Sequence, residues 1–157
     1  MKVSLVLLSP FLVQGGVMAC DEFYFHRKRR LLRWERIGHP FDTLAFGITL
    51  SVVYLLPYSA SNRVLFIALA IFSTLLITKD EWVHAKFCSP LEHWLHALLF
   101  ILHPLTFIAA ALLWPEINSP ALLIEKALYR GLLLGICVFL FYQIIYWNIY
   151  DRNQRVH

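Results

Sequence analysis

The chain has 157 residues, of which 59% are hydrophobic and only 15% are charged, and its formal net charge is +4. Soluble domains carry about 25% charged residues, so this composition argues against a soluble domain and favours a protein whose solvent is lipid. Three cysteines without a CxxC pair argue against a disulfide framework. The length allows one domain, and we expect residues 1–157 to form a single integral membrane unit.

Five apolar stretches predict an all-α fold, a polytopic membrane helix bundle with about five transmembrane helices. In chain order, the predicted spans are approximately residues 3–20, 42–58, 63–79, 93–114 and 127–150. A Pro57–Asn62 turn and a Pro115–Pro120 loop separate two pairs of spans, because proline and asparagine suit turns better than helix interiors. The first stretch has an alternative interpretation as a secretory signal that is cleaved before Cys20.

The distribution of positive charge predicts the orientation of these spans. Six of the fourteen Lys and Arg residues lie between Arg27 and Arg36. One predicted side carries Arg27, Lys28, Arg29, Arg30, Arg33, Arg36, Lys79, Lys86, Arg152 and Arg155. The other side carries Lys2, Arg63, Lys126 and Arg130. The positive-inside rule therefore places the N-terminus outside and the C-terminus in the cytoplasm.

The same pattern predicts the location and the surroundings of the protein. We expect a multi-pass protein of the bacterial inner membrane. The basic cluster Arg27–Arg36 is expected to meet anionic lipid headgroups, and we expect no nucleic-acid partner, because the cluster lies beside hydrophobic spans.

Histidine and acidic side chains gather at the predicted cytoplasmic rim. Glu22 and His26 are spaced i,i+4, and Glu81 and His84 are spaced i,i+3, so each pair shares a helix face. Unpartnered acids and histidines at bilayer depth are costly, and bound metal would offset that cost. The predicted metal ligands are Glu22, His26, His39, Asp80, Glu81, His84, Glu92, His93 and His96.

Imidazole and carboxylate ligands together suit iron, manganese and zinc. Because several helices contribute ligands, we predict two divalent metal ions, with Fe favoured over Mn and Zn as the alternative. His103 lies about 10 Å deeper along the helix axis than His96 and is expected to line a substrate or proton path instead. His157 is expected to be part of a solvated tail.

This arrangement resembles the membrane-bound di-metal desaturase and hydroxylase class, whose members carry histidine clusters at the cytosolic ends of their spans. The resemblance covers Glu22–His39 and Asp80–His96. Instead of HxxxH and HxxHH boxes, the pieces here are Glu22-x-x-x-His26, Glu81-x-x-His84 and Glu92-His93-x-x-His96. The resemblance implies oxidation, desaturation or hydroxylation of a membrane lipid or another lipid-soluble substrate, with an electron donor as partner.

Three other functions remain open at the level of sequence. A zinc-dependent membrane hydrolase would use Glu81 or Glu92 as base for a zinc-bound water. A b-type cytochrome would ligate haem through paired histidines on facing helices. A non-enzymatic membrane subunit, an assembly factor or a transport component would fit a chain with little soluble mass.

Overall fold

A computed structural model describes residues 6–119 and 123–151, and within these ranges all regular secondary structure is helical and no strand occurs. The α-helices are α1 (Ser9–Cys20), α2 (Arg27–Arg29), α3 (Arg33–Leu55), α4 (Ala60–Leu76), α5 (Glu81–Phe87), α6 (Pro90–Ile117) and α7 (Leu123–Ile145). Two π-helical segments, Asp21–His26 and Tyr146–Tyr150, and a 3₁₀ turn, Ile77–Asp80, extend them. The predicted all-α class is confirmed.

Three continuous helical stretches are long and apolar enough to cross a membrane: Ala60–Phe87, Pro90–Ile117 and Leu123–Tyr150. They contain the spans predicted at 63–79, 93–114 and 127–150. Helices α1 and α3 cover most of the other two predicted spans, although residues 3–5 lie outside the described ranges. Large apolar side chains such as Leu55, Val64 and Val138 are exposed on the outer surface, as lipid contact requires.

Two helices run past the boundaries that proline suggested. Helix α3 begins at Arg33 and contains Pro40, and α6 continues through Pro115 to Ile117. Each proline removes only one backbone hydrogen bond. Tertiary contacts stabilise the end of α6, because the side chain of Asn118 donates to the Val53 carbonyl oxygen at 3.3 Å. The predicted loop therefore starts at Asn118, three residues later than expected.

Helix α6 is the central element of the bundle. Within its most apolar window 44% of residues are buried, compared with 11% for the two other apolar stretches. Helices α1 and α3 pack against α6, and α7 packs mainly against α3. Gly47 allows α3 and α7 to approach closely, since a Cβ atom there would lie 3.2 Å from Cγ2 of Ile136. Such close approach matters in lipid, where packing rather than the hydrophobic effect drives helix association.

The two ends of the bundle differ in chemistry. At one end, Leu50, Val53, Leu113 and Trp114 form part of an apolar core. At the other end, the segments 21–36, 77–96 and 143–151 meet and bury most of their acidic and histidine side chains. Asn148 links two of these segments by donating to the Arg36 carbonyl oxygen at 3.0 Å. We call this second end the polar rim.

We predict that Tyr129→Phe lowers the free energy of unfolding by about 1 kcal/mol. The buried Tyr129 hydroxyl donates to the Leu50 carbonyl oxygen at 3.0 Å and joins α7 to α3. Thermal unfolding in detergent, followed by circular dichroism, measures the change. Tyr24→Phe is the control because Tyr24 is exposed, and an equal shift in both variants would contradict the role of the buried hydroxyl.

Candidate metal centre

The π-helical segment after α1 turns adjacent polar residues toward the interior. Asp21, Glu22, Phe25 and His26 are all buried, although neighbours on an ordinary α-helix point about 100° apart. The wider π-helical turn reduces this divergence, and such segments are frequent at functional sites. The chain therefore presents two carboxylates and one imidazole to the bundle interior from a single turn.

Four imidazole rings form a closed ring of neighbours at the polar rim. The His26 centroid lies 4.8 Å from that of His39 and 6.2 Å from that of His96. The His84 centroid lies 4.1 Å from that of His96 and 6.4 Å from that of His39. Four separate segments of the chain thus contribute one histidine each to what we call the histidine cluster, His26, His39, His84 and His96.

Carboxylates fix the orientation of His26 and His96. Nδ1 of His26 lies 3.4 Å from Oε2 of Glu22, and Nε2 of His96 lies 3.0 Å from Oδ2 of Asp21. The second nitrogen of each ring, Nε2 of His26 and Nδ1 of His96, is buried without a hydrogen-bond partner among the described residues. Nε2 of His26 lies 3.1 Å from Oδ2 of Asp21, but in a geometry that makes no hydrogen bond.

His39 and His84 repeat this pattern on the other side of the cluster. Nδ1 of His84 lies 3.4 Å from Oε1 of Glu81, and Nδ1 of His39 faces Oδ2 of Asp42 at 3.9 Å. Nε2 of both rings is buried without a hydrogen-bond partner in the described part of the chain, and Nε2 of His84 lies 3.6 Å from Oε1 of Glu35. A buried polar atom without a partner costs about 1–3 kcal/mol, so these nitrogens need an explanation.

Glu22 acts as an anchor for the cluster. Its carboxylate accepts hydrogen bonds from Nε1 of Trp147 and, at 3.2 Å, from Nε2 of Gln143. Thr43 in turn donates to Oε1 of Gln143 at 2.8 Å. The second π-helical segment and α7 therefore hold the carboxylate that orients His26.

Ion pairing shifts the protonation of the buried pair Asp21 and His26, which lies beyond the apolar part of α1. Burial lowers the pKa of His26, but Asp21 and Glu22 outweigh it and raise that pKa to about 10. Burial raises the pKa of Asp21, but His26 and His96 outweigh it and hold that pKa well below its usual range. Asp21 is therefore a carboxylate, which is the form that binds a cation.

Arg29 joins two buried carboxylates above the cluster. Its guanidinium donates to both oxygens of Glu35, at 2.6 and 2.9 Å, and to Oε1 of Glu92 at 3.0 Å. The side chains of Glu35 and Glu92 are 0% and 3% exposed.

Arg30 has a φ of 63°, which ends the helical extension of α1 and starts the return of the chain into α3.

Lys79 closes the cluster beside His39. Its ammonium donates to Asp42 at 2.6 Å and to Asp80 at 2.8 Å. Gly38 makes room for it, since a Cβ atom there would lie 2.8 Å from Cε of Lys79. Two of the rim carboxylates are therefore partly neutralised by a residue that also closes off solvent.

Among the described residues, the donor atoms of the rim form overlapping groups in which all atoms lie within 4.8 Å of one another. The groups are Asp21, His26, Glu92 and His96; Glu35, His39 and His84; His39, Asp42 and Asp80; and His84, Cys88 and His96. Two ligands of one ion, each about 2.0–2.2 Å from it, are at most about 4.4 Å apart. Small side-chain movements would bring each group to bonding distance.

A cavity of about 90 Å³ lies against the histidine cluster and extends deeper into the bundle. At its inner end, Nδ1 of His103 lies 3.1 Å from Nε2 of Gln14, and its Nε2 lies 3.0 Å from Oγ of Ser73. Thr106 donates to Oε1 of Gln14 at 2.7 Å. Both nitrogens of His103 are thus used within the protein, and His103 lines the cavity as a neighbour of the cluster.

The structure groups most of the residues predicted from the sequence. His26, His39, His84 and His96 form the cluster, and Glu22, Asp80 and Glu92 are buried around it. His93 and Glu81 lie at its outer edge, with side chains 44% and 37% exposed, and Nε2 of His93 is 3.5 Å from Oε2 of Glu81.

The ligand set predicted from the sequence left out three carboxylates that the structure places against the cluster, Asp21, Glu35 and Asp42. Asp21 precedes His26 by five residues, a spacing that an α-helical pattern does not bring to one face. Glu35 lies within the basic stretch Arg27–Arg36 and therefore resembles a surface partner of arginine. Only the Arg30 turn, which folds α3 back over the π-helical segment, places Glu35 at the rim interior.

Comparisons of this chain with protein-family models, with curated proteins and with solved structures find no match.

We predict that Arg29→Ala lowers the free energy of unfolding by about 3–5 kcal/mol, because it leaves Glu35 and Glu92 buried without their cation. Arg33→Ala, at an exposed position of the same basic stretch, should change stability by less than about 0.5 kcal/mol. Denaturation in detergent measures both variants. The double variant Arg29→Ala, Glu35→Gln should recover part of the lost free energy of unfolding. Equal destabilisation by Arg29→Ala and Arg33→Ala would contradict the role of Arg29 as the buried partner of Glu35 and Glu92.

Proposed function

We propose that this chain is a small integral membrane metalloprotein that binds two divalent ions, Fe in preference to Mn, and that it oxidises, desaturates or hydroxylates a lipid-soluble substrate at the polar rim. The observation that carries the proposal is the arrangement of the four clustered histidines. In each ring one nitrogen faces a carboxylate, and the other is buried without a hydrogen-bond partner among the described residues. Nε2 of His26 and Nε2 of His84 also lie within 3.1 and 3.6 Å of carboxylate oxygens of Asp21 and Glu35, so nitrogen and oxygen donors converge there. Metal-binding histidines commonly have this carboxylate partner.

The donor groups support a proposal of two ions. The group Asp21, His26, Glu92 and His96 shares no residue with the group Glu35, His39 and His84. They are adjacent, because the His26 and His39 centroids lie 4.8 Å apart and those of His84 and His96 lie 4.1 Å apart. Two-metal sites hold their ions about 3.5–4 Å apart. Nitrogen and oxygen donors of this kind suit Fe, Mn and Zn.

The reaction class must balance its atoms and electrons. Hydroxylation replaces a C–H bond by C–OH with one atom of dioxygen, and the other atom leaves as water. Two protons and two electrons complete the balance, so an external electron donor is a required partner. Bound iron would supply the activation of dioxygen. The contribution of the chain is to hold the donors, to exclude water, and to present the substrate through the cavity beside the cluster.

The membrane arrangement is part of the proposal. We propose five spans, formed by α1, α3, α4, α6 and α7, in the bacterial inner membrane, with the polar rim at the cytoplasmic face. The basic residues of Arg27–Arg36 would then contact anionic headgroups there. Support comes from the positive-inside rule together with the meeting of segments 21–36, 77–96 and 143–151 at one end.

The orientation predicts the labelling of engineered cysteines. In a chain in which Cys20, Cys88 and Cys137 are replaced by alanine, Ser61→Cys should react with a membrane-impermeant maleimide in intact cells. Lys28→Cys should react only after permeabilisation. Both positions are exposed, so protection reports the membrane rather than the fold. The reverse pattern would contradict the orientation, and labelling of both in intact cells would contradict the number of spans between them.

The metal proposal predicts about two iron atoms per chain by elemental analysis of protein purified without oxygen and reconstituted with Fe(II). His96→Ala and Asp21→Asn should each lose metal, and His96→Gln tests the same ligand with less change in volume. Monodisperse elution of each variant shows that the fold persists. Wild-type protein that binds no transition metal after reconstitution would overturn the proposal.

The variant His93→Ala tests whether His93, which the sequence predicts as a ligand, binds metal in addition to the histidine cluster. His93 lies outside the cluster, so His93→Ala should keep its metal while His96→Ala loses it. Loss of one ion from His93→Ala would make His93 a ligand.

One further group favours a second candidate, a zinc-dependent hydrolase. The donors of His84, Cys88 and His96 lie within 4.8 Å of one another, and two imidazoles with a thiolate form a zinc-type ligand set. Burial raises the pKa of the Cys88 thiol, which opposes thiolate formation in the absence of metal. One zinc per chain, lost in Cys88→Ser, would select the hydrolase over the di-iron enzyme.

A further inference from the structure

A long apolar groove lies between α1 and α7. It has a volume of about 650 Å³ and is lined by aliphatic, aromatic and glycine residues of α1, α3 and α7, among them Phe11, Gly15, Gly131 and Ile136. The cleft exists because α1 packs on α6, whereas α7 packs mainly on α3. An occupant of this groove must be apolar along most of its length.

Glycines keep the groove wide. A Cβ atom at Gly15, Gly131 or Gly135 would meet no heavy atom within 4 Å, so no neighbour in the described chain requires glycine there. Glycine inside a helix costs about 0.5–1 kcal/mol relative to alanine. The absent side chains leave space along both walls of the groove, and this space suits a slender molecule.

The groove adjoins the cavity at the histidine cluster. Both volumes are lined by Gln14, Met18, Thr43, Phe46 and Phe139. The cavity is also lined by the buried rings of His26 and His39, each with an unpartnered nitrogen. A molecule in the groove therefore lies next to the cavity that these rings line.

The dimensions of the groove match one leaflet of a bilayer. Its α1 wall runs from Leu8 to Ala19, about 16 Å at 1.5 Å per residue. The hydrocarbon core of a bilayer is about 30 Å thick, so one leaflet contributes about 15 Å. The α7 wall, from Ala127 to Phe139, is about 18 Å long, so a hydrocarbon chain of about this length would fill the groove.

The guanidinium of Arg27 places a positive charge near the rim end of the groove. Phe139, at that end, packs against Phe23 with centroids 6.4 Å apart, and the guanidinium of Arg27 lies 5.3 Å from the Phe23 ring. Nη2 of Arg27 donates to the hydroxyl of Tyr142 at 3.4 Å. An exposed, aromatic-supported guanidinium suits an anionic carboxylate or phosphate headgroup.

We propose that the groove binds one acyl chain of an anionic membrane lipid, with the headgroup at Arg27 and the chain running past Phe139 and Gly135 toward Leu8. In this orientation, the carbons nearest the headgroup lie on the side of the histidine cluster, and the chain terminus lies near Leu8 and Leu128. The proposal that an acyl chain binds depends only on the groove. The proposal that this lipid is the substrate rests on the proposed metal-dependent function. If both hold, the reaction takes place at the headgroup end of the acyl chain.

The test uses a phosphatidylglycerol with a photoreactive diazirine on its acyl chain, incorporated into nanodiscs with the full-length protein. Irradiation should label groove peptides of α1 and α7. Gly131→Phe, Gly135→Phe and Gly15→Phe fill the groove from either wall and should each reduce labelling of the opposite wall about tenfold or more. Gly16→Phe and Val138→Phe are matched controls on the same helices outside the groove lining, and should label as wild type.

A second arm tests the headgroup. Arg27→Gln should reduce labelling by the phosphatidylglycerol probe about tenfold and leave labelling by a phosphatidylcholine probe unchanged, whereas Lys28→Gln should change neither. Equal groove labelling in filled and wild-type proteins would overturn the inference, and so would crosslinking of the groove to a second copy of the chain.

Metal content of the same samples separates the two proposals. Filled variants that retain iron but lose labelling support both proposals. Labelled wild-type protein without metal would overturn the metal-dependent function and leave the groove intact. Metal-loaded wild-type protein without groove labelling would overturn the groove alone.

Discussion

Buried ionisable side chains are tolerated only where they meet one another, a bound ion or water, and this constraint organises the polar rim. Histidines from four segments turn inward and face carboxylates there. Carboxylates follow them inside, and Arg29 and Lys79 supply the cations that keep Glu35, Glu92, Asp42 and Asp80 stable there. The apolar core at the other end of the bundle packs the helices against one another, and this packing holds the rim segments in place.

The π-helical segments are the local adaptation that makes this assembly possible. In the first, the wider turn allows Asp21 and Glu22 to face inward together, so one carboxylate contacts His96 while its neighbour orients His26. In the second, Trp147 is turned toward Glu22. A regular α-helix at either place would point one of these groups toward lipid, at a cost that the bundle would have to recover elsewhere.

The proposed metal centre and the proposed lipid groove explain two features that packing leaves unexplained. Buried ring nitrogens without hydrogen bonds are unfavourable among the described residues, and bound ions would use them. Glycines that approach no neighbour are unfavourable inside helices, and a hydrocarbon chain would use the space they leave. The two volumes share lining residues, so one substrate could occupy both.

The sequence by itself determined the helical class, three apolar spans and the gathering of histidines with acids, because hydropathy and i,i+4 spacing are local properties. The predicted topology placed His26, His84 and His96 at one rim, and Glu-His spacings paired each of them with a carboxylate on its own helix face. Only the tertiary structure decided that Asp21 and Glu35 join the cluster while His93 stays at its edge. Those outcomes depend on a π-helical turn and on the reversal of the chain at Arg30, which bring together residues whose proximity no helical period encodes.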